Sequence, residues 1–120
     1  MRKITQRIKD AFEAGHSLTV GNTRTDGESV WLYGNKIVKT FHGEVFATLA
    51  GWPTPTTRER VNGITGIGFH QEDFMPKVNG RPVDSREWIN VGKERARAFL
   101  AEKVKADFPN MADRVEVVVV

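Results

Sequence analysis

The residues best suited to catalysis or metal binding are three histidines and one acidic pair, and their spacing supports neither activity. His16, His42 and His70 lie far apart, and none stands in an HxxxH or HExxH arrangement that would bring two imidazoles to one metal ion. Glu72 and Asp73 follow His70, but adjacent carboxylates in a loop are usually solvated charges. A hydrolase or nuclease built on these three residues is the least favoured function, and we predict no catalytic site, no metal and no other cofactor.

Two further kinds of chemical site are excluded by the sequence. Gly63-Ile64-Thr65-Gly66-Ile67-Gly68 is rich in glycine, but phosphate-binding loops follow a strand and open a helix, and no Lys-Ser or Lys-Thr pair ends this one. The chain has no cysteine, so it has no disulfide, thiolate ligand or cysteine nucleophile. We therefore expect a protein that acts by binding.

The most promising binding residues lie in one predicted strand, Ser29 to Tyr33. Alternation places Val30 and Leu32 on one face of the strand and Trp31 and Tyr33 on the other. If the aliphatic pair faces the core, the aromatic pair is exposed, and unpaired bases stack on such rings when basic side chains lie nearby. The alternative is a sheet covered on both faces, with both aromatic rings packed under a helix.

Basic side chains near this strand would contact the phosphates of a bound nucleic acid. Arg24 precedes the strand, Lys36 follows the tight Gly34-Asn35 turn, and Lys39 lies one residue beyond the next apolar pair. The chain as a whole is basic, with 18 Lys and Arg against 15 Asp and Glu, a formal charge of +3 and a pI near 9.4. A pI above about 9 is one mark of a phosphate-binding surface, provided that the charge is clustered.

A second basic feature is the predicted helix start at Thr56-Thr57-Arg58-Glu59-Arg60. Thr56 followed by Glu59 forms a capping box, and the free amides of a helix start attract phosphate together with Arg58 and Arg60. The alternative is that the cap is purely structural and that Arg58 pairs with a nearby carboxylate. The sequence favours neither over the other.

Periodicity and turn residues predict an α+β domain that carries these features. The length of 120 residues fits a single domain, and no apolar run approaches the roughly 20 residues that span a bilayer. The expected elements are an N-terminal helix at 3–14, an antiparallel meander of about four strands at 17–22, 29–33, 36–41 and 45–49, a short capped helix at 57–62, a long C-terminal helix at 93–106 and a final strand at 115–120.

The last predicted strand also bears on assembly and location. Val115 to Val120 is almost pure valine, and an unpaired strand of this kind is an aggregation hazard unless something pairs with it. We therefore predict a homo-oligomer. With no membrane helix and no signal peptide predicted, we expect a cytoplasmic protein.

Three segments resemble a small uncharacterised domain family of bacteriophage genomes. They are Leu32-Tyr33-Gly34-Asn35-Lys36-Ile37, Leu49-Ala50-Gly51-Trp52-Pro53-Thr54 and Thr56-Thr57-Arg58-Glu59-Arg60-Val61-Asn62. The family pattern reads approximately LxGNxI, then AGW at a strand end, then TxTTRxRLN, and Val61 here replaces the usual Leu. The resemblance implies a phage protein in the host cytoplasm and brings no assigned activity. In its general class the chain is also similar to the small single-stranded-DNA-binding transcription regulators of N4-like phages.

The function predicted from these features is non-catalytic binding of single-stranded nucleic acid, DNA or RNA, in transcription or replication. Trp31 and Tyr33 would stack on bases, and Arg24, Lys36, Lys39, Arg58 and Arg60 would contact the backbone. The alternative is a protein-interaction module that inhibits or adapts a host enzyme such as RNA polymerase, because Trp, Tyr and Arg are also favoured at protein interfaces.

Overall fold

A computed structural model of the protein describes residues 1–107 and confirms the predicted α+β class. Three helices and two antiparallel sheets alternate along the chain. The elements are α1 (Lys3–Ala14), β1 (Leu18–Val20), β2 (Thr23–Thr25), β3 (Ser29–Leu32), β4 (Asn35–Phe41), β5 (Glu44–Ala47), α2 (Pro55–Thr65), β6 (Phe69–Glu72), β7 (Met75–Val78), β8 (Arg81–Pro82), β9 (Ile89–Asn90) and α3 (Val91–Asp107).

The larger sheet has six strands in the order β1-β2-β3-β4-β5-β9, with every neighbouring pair antiparallel. Its first five strands follow one another in the chain, so the predicted meander is confirmed and contains one strand more than expected. The additional strand, β2, consists of Thr-Arg-Thr between turn residues, which is too short and polar to show a periodic pattern. Strands β6, β7 and β8 form a separate three-stranded sheet.

The first helix forms and ends as its sequence predicts. Ile4, Ile8 and Phe12 recur on one side of α1, and Ile8 is fully buried. Gly15 adopts the left-handed conformation with φ 73°, and backbone N–H groups of the cap bond to the carbonyl oxygens of Ala11 and Phe12.

The core lies between the six-stranded sheet and the two helices α1 and α2. Val30 and Leu32 are buried, which confirms that the aliphatic side of β3 faces the core. The buried apolar side chains are Ile8, Val30, Leu32, Ile37, Val38, Ala47, Leu49, Val61, Ile64, Ile67, Phe69, Val78, Val83, Ile89 and Val91.

The start of α2 differs from the predicted capping box. The helix begins at Pro55, and the Thr54 hydroxyl accepts the backbone N–H of Thr57 at 3.2 Å. Proline at the first helical position has no N–H to satisfy and has a φ already suited to the helix, so the Thr54-Pro55 pair sets the boundary two residues earlier than Thr56. Glu59 is therefore free for other contacts.

The helix α2 also extends further than predicted at its C-terminal end. Gly66, with φ 74°, ends the helix, whereas Gly63 lies within it. A Cβ at Gly63 would stand 2.5 Å from the Thr5 side chain of α1, so glycine is required there by the close approach of the two helices.

Replacing the true cap should destabilise the protein, and replacing the predicted cap should not. We expect Thr54→Ala to lower the free energy of unfolding by about 1 kcal/mol, because the Thr57 amide loses its acceptor. Thr56→Ala is the matched control and should stay within about 0.5 kcal/mol of the parent. Urea unfolding of both variants measures the difference. A larger loss of stability for Thr56→Ala than for Thr54→Ala would instead support the capping box predicted at Thr56.

The prediction that Arg60 contacts nucleic acid is wrong, because its side chain is buried, with 2% of the residue exposed. Its Nε donates to the Thr23 hydroxyl at 3.0 Å, and its Nη1 donates to the Thr5 hydroxyl at 3.3 Å and to the Glu59 carboxylate. Arg60 thus joins α1, α2 and β2. Burial raises the pKa of Glu59, but the bonds from Thr5 and Arg60 outweigh it and leave that pKa below its usual value of 4.5.

The long C-terminal helix is confirmed and begins earlier than predicted, at Val91 directly after β9. The buried carboxylate of Glu94 in its first turn pairs with Arg81 of β8, which ties the helix to the smaller sheet. The predicted final strand, Val115 to Val120, lies outside the described residues, and so does the basis for the predicted homo-oligomer.

Candidate functional site

Trp31 lies between two basic side chains on the face of the six-stranded sheet that points away from α1 and α2. Arg24 of β2 and Lys36 of β4 are its direct cross-strand neighbours. The guanidinium carbon of Arg24 lies 3.9 Å from the Trp31 ring centroid, and the Lys36 Nζ lies 5.3 Å from it. Both distances are within the range of cation–π attraction. Within residues 1–107 Trp31 is not packed under a helix, as the alternative would require, but is half-buried beneath the two cations.

A second group of the same kind lies further along the same face. The Lys39 Nζ stands 4.2 Å from the Trp88 ring centroid and 6.0 Å from that of Phe46, its cross-strand neighbour. Neither aromatic residue is among the binding residues predicted from the sequence. Strand alternation could have found Phe46, because the small apolar Ala47 next to it faces the core. Trp88 gave no signal, since the two-residue strand β9 that follows it is too short to recognise.

A bulge in β4 places Lys36 and Lys39 on the same face. Three residues apart, they would point to opposite faces of a regular strand. Val30 pairs with Val38 and Trp31 with Lys36, so Ile37 is an extra residue in β4, and Ile37 and Val38 are both buried. The one-residue shift turns Lys39 back to the side of Lys36.

We call this surface the aromatic-basic face. It consists of Arg24, Trp31, Lys36, Lys39, Phe46 and Trp88. At its edge the Glu44 carboxylate accepts a bond from the Asn90 side chain at 3.1 Å, which places one negative charge beside the three cations. A face of this composition can bind planar rings by stacking and anions by its cations.

Tyr33 is not part of the aromatic-basic face, contrary to prediction. Leu32 pairs with Asn35, so Tyr33 and Gly34 form the two-residue turn, with φ 50° and 80°. Positive φ at both positions identifies a type I′ turn, and strand alternation ends before it. Tyr33 is exposed, as expected, with 73% of its surface accessible, but it lines a pocket on the α2 side of the sheet.

Arg58 also lies on the α2 side. Its Nη1 donates to the Pro53 carbonyl oxygen at 2.9 Å and to the Gln71 side-chain oxygen at 2.9 Å. The predicted alternative, a carboxylate partner, is not found within the described part of the chain. Of the seven predicted binding residues, the sheet thus brings together Arg24, Trp31, Lys36 and Lys39 and separates Tyr33, Arg58 and Arg60 from them.

Two of the residues considered for catalysis, His70 and Glu72, have structural contacts. His70 Nε2 accepts the backbone N–H of Gly80 at 3.1 Å, and Glu72 pairs with Lys77 at 3.6 Å. Within residues 1–107, no group of three or more His, Asp or Glu side chains could hold a metal ion. Over the same range, no helix has both the length and the hydrophobicity to cross a membrane.

The model of the family described as Kyanoviridae Gp96 protein matches residues 1–97 of the chain. The chain belongs to the Kyanoviridae Gp96 family. This is a bacteriophage family of uncharacterised function, which confirms the predicted phage origin. The matched residues include α1, α2, all nine described strands and the first turns of α3. No curated protein and no solved structure matches the chain.

Proposed function

We propose that this protein binds single-stranded nucleic acid, principally DNA, through the aromatic-basic face and without catalysis. The observation that carries the proposal is the pair of cation–aromatic groups, Arg24–Trp31–Lys36 and Lys39–Trp88, on one face of an antiparallel sheet. Single-stranded nucleic acids are bound by this combination, because every base has a flat face for stacking and every phosphate has a charge for the cations.

The two groups have different tasks in this proposal. Lys36 and Lys39 neutralise phosphates, since each amino group can turn from the ring to the backbone of a bound strand. Arg24 covers one face of Trp31, so a base stacks either on the guanidinium plane itself or on the ring after the guanidinium moves to a phosphate. A duplex offers no unstacked base, so we expect weaker binding of double-stranded DNA.

The setting we propose is transcription or replication of the phage genome in the host cytoplasm. Support comes from the bacteriophage family to which the chain belongs. Single-stranded DNA is exposed in both processes.

A salt titration with single-stranded DNA, RNA and duplex DNA of equal length tests the proposal. Fluorescence polarisation measures the affinity. Three phosphate contacts predict a slope of about −2 in log affinity against log salt, so a tenfold rise in salt should weaken binding about 100-fold. Binding that is absent at micromolar protein, or that does not respond to salt, would contradict the proposal.

The second candidate function is docking on a host protein such as RNA polymerase. The observation that favours it is Trp31 stacked with Arg24 at the centre of the face, because these two residue types dominate interface hot spots. A pull-down with purified host polymerase after nuclease treatment separates the two functions. Retention of the polymerase by the parent and its loss in Trp31→Ala, with no binding of oligonucleotides, would favour this candidate.

A further inference from the structure

An apolar pocket of about 400 Å³ opens between the β3–β4 turn and the start of α2. Its volume lies in the range of sites that take a ring-sized group. The buried side chains of Leu32, Ile37 and Leu49 contribute its apolar surface. The lining residues are Leu32, Tyr33, Asn35, Ile37, Leu49, Ala50, Trp52, Thr54 and Thr57.

Two exposed aromatic side chains belong to this pocket. Tyr33 is 73% exposed and Trp52 is 59% exposed. Each is held by a turn with two positive φ values, Tyr33–Gly34 with 50° and 80° and Ala50–Gly51 with 55° and 80°. The Trp52 N–H closes the second turn on the Leu49 carbonyl oxygen at 2.9 Å. Large aromatic residues on rigid turns beside an apolar pocket are typical of protein interfaces.

The same chain carries an apolar side chain that could fill such a pocket. Glu72 pairs with Met75 in the β6–β7 hairpin, so Asp73 and Phe74 form its two-residue turn, with φ 52° and 63°. Phe74 is 94% exposed, and Met75 is 49% exposed. Glycine or asparagine usually occupies such a turn, and a bulky residue with positive φ is an outlier. Among the described residues nothing packs against the Phe74 ring, so this part of the chain does not explain a phenylalanine in the turn.

The charges around the two features are complementary. Phe74 follows two exposed carboxylates, Glu72, which pairs with Lys77 at 3.6 Å, and Asp73. The pocket is flanked by Arg58, which bonds to Pro53, and by Arg86, whose side chain lies against Gly51. Neither arginine has a carboxylate within 4.0 Å among the described residues.

The β6–β7 hairpin is anchored next to the start of α2, which borders the pocket. The 2.9 Å bond from Arg58 to Gln71 fixes β6 beside the pocket, and Phe74 is three residues further along the hairpin, or about 10 Å. When a projection and a complementary pocket are close neighbours, a two-fold axis can bring each projection to the other copy's pocket, so that both contacts form together.

We propose that two copies of this chain form a two-fold dimer in which the Phe74 side chain of each copy occupies the pocket of the other. Phe74 packs against Leu32, Ile37 and Leu49 between Tyr33 and Trp52. The carboxylates of the hairpin lie near Arg58 and Arg86. The contact leaves the aromatic-basic face free, so the dimer does not depend on nucleic-acid binding.

Sedimentation velocity of the full chain from about 1 to about 200 µM tests the dimer over the affinity range of modest interfaces. Phe74→Asn removes the ring and keeps a residue suited to the turn, and should raise the dimer dissociation constant by about tenfold or more. Phe99→Ala removes another exposed aromatic ring, 69% accessible on α3, and should leave the constant unchanged. Circular dichroism and melting curves check that each variant is folded.

A mixing experiment tests the pairing itself. Trp52→Ala keeps Phe74 and damages the pocket, whereas Phe74→Asn keeps the pocket. Each variant alone should be largely monomeric, and an equimolar mixture should form a heterodimer through the one intact contact, weaker than the parent dimer. A parent that stays monomeric at about 200 µM, a mass that rises beyond two copies, or equal constants for Phe74→Asn and Phe99→Ala would overturn the proposal. A parent that stays monomeric would leave a different protein or a free aromatic ligand as the occupant of the pocket.

Discussion

Replacing Arg60 with alanine is expected to lower the free energy of unfolding by about 3 kcal/mol, the largest effect on stability that we predict. The guanidinium is buried and bonds to Thr5, Thr23 and Glu59. Its removal leaves a cavity at the junction of α1, α2 and β2 and deprives a partly buried carboxylate of its counter-charge. For a domain of this size the loss corresponds to a fall of about 12 °C in the melting temperature.

Arg58→Ala is the matched control for this substitution. It lies two residues earlier in the same helix, is only half-buried and bonds to groups that water can reach, so we expect a loss below about 1 kcal/mol. Chemical unfolding at pH 7 compares the two variants. Equal losses would mean that the Arg60 network contributes no more than an ordinary surface residue.

Replacing Trp31 with alanine is expected to weaken binding of a short single-stranded oligonucleotide by about 5- to 150-fold, from the loss of about 1 to 3 kcal/mol of stacking on one base. The salt dependence should not change, because no charge is removed. Lys36→Gln, by contrast, should reduce the salt slope by about 0.7. Polarisation titrations with an oligonucleotide of about 8 nucleotides, which one chain can occupy, measure both quantities.

Trp52→Ala is the control for Trp31→Ala, because it removes the same side chain on the opposite side of the sheet. We expect its affinity for the short oligonucleotide to stay within about twofold of the parent. If both tryptophan variants bind like the parent, bases do not stack on the aromatic-basic face.

Local patterns predicted those parts of the fold that depend on neighbouring residues. The spacing of Ile4, Ile8 and Phe12 with a following glycine predicted α1, and the alternation of Val30 and Leu32 predicted which side of β3 faces the core. Such patterns are local because burial repeats with the period of the element itself.

The positions of the arginines could not be predicted in this way. Arg58 and Arg60 have the same residue type and lie two positions apart, yet one is half-buried and the other is 2% exposed. Arginine is usually exposed, so its burial depends on partners from distant elements, here Thr5 and Thr23. The start of α2, in contrast, could have been predicted from the sequence, because a threonine followed by proline is typical of a helix N-cap and first helical position. The Thr56 and Glu59 pattern indicated a different start.

Sites assembled across the chain were the least predictable. Trp88 reaches Lys39 only because β9 pairs with β5, and a two-residue strand leaves no trace in the sequence. The three segments that carry the resemblance to a phage family line a single pocket, although they are separated along the chain. Neither residue type nor spacing indicates that arrangement.

The bulge at Ile37 sets the charge pattern of the sheet, because it fixes which side of β4 the residues after it face. If β4 kept all its residues and paired regularly with β3, Ile37 would stand opposite Val30, and Lys39 would point into the core while Val38 pointed to solvent. Deleting Ile37 itself would remove the extra residue and leave Lys36 and Lys39 on one side. Substitutions at the lysines would change the surface by one charge at a time. A register shift of one residue that removed the bulge would, by contrast, end the shared side of Lys36 and Lys39 in one step.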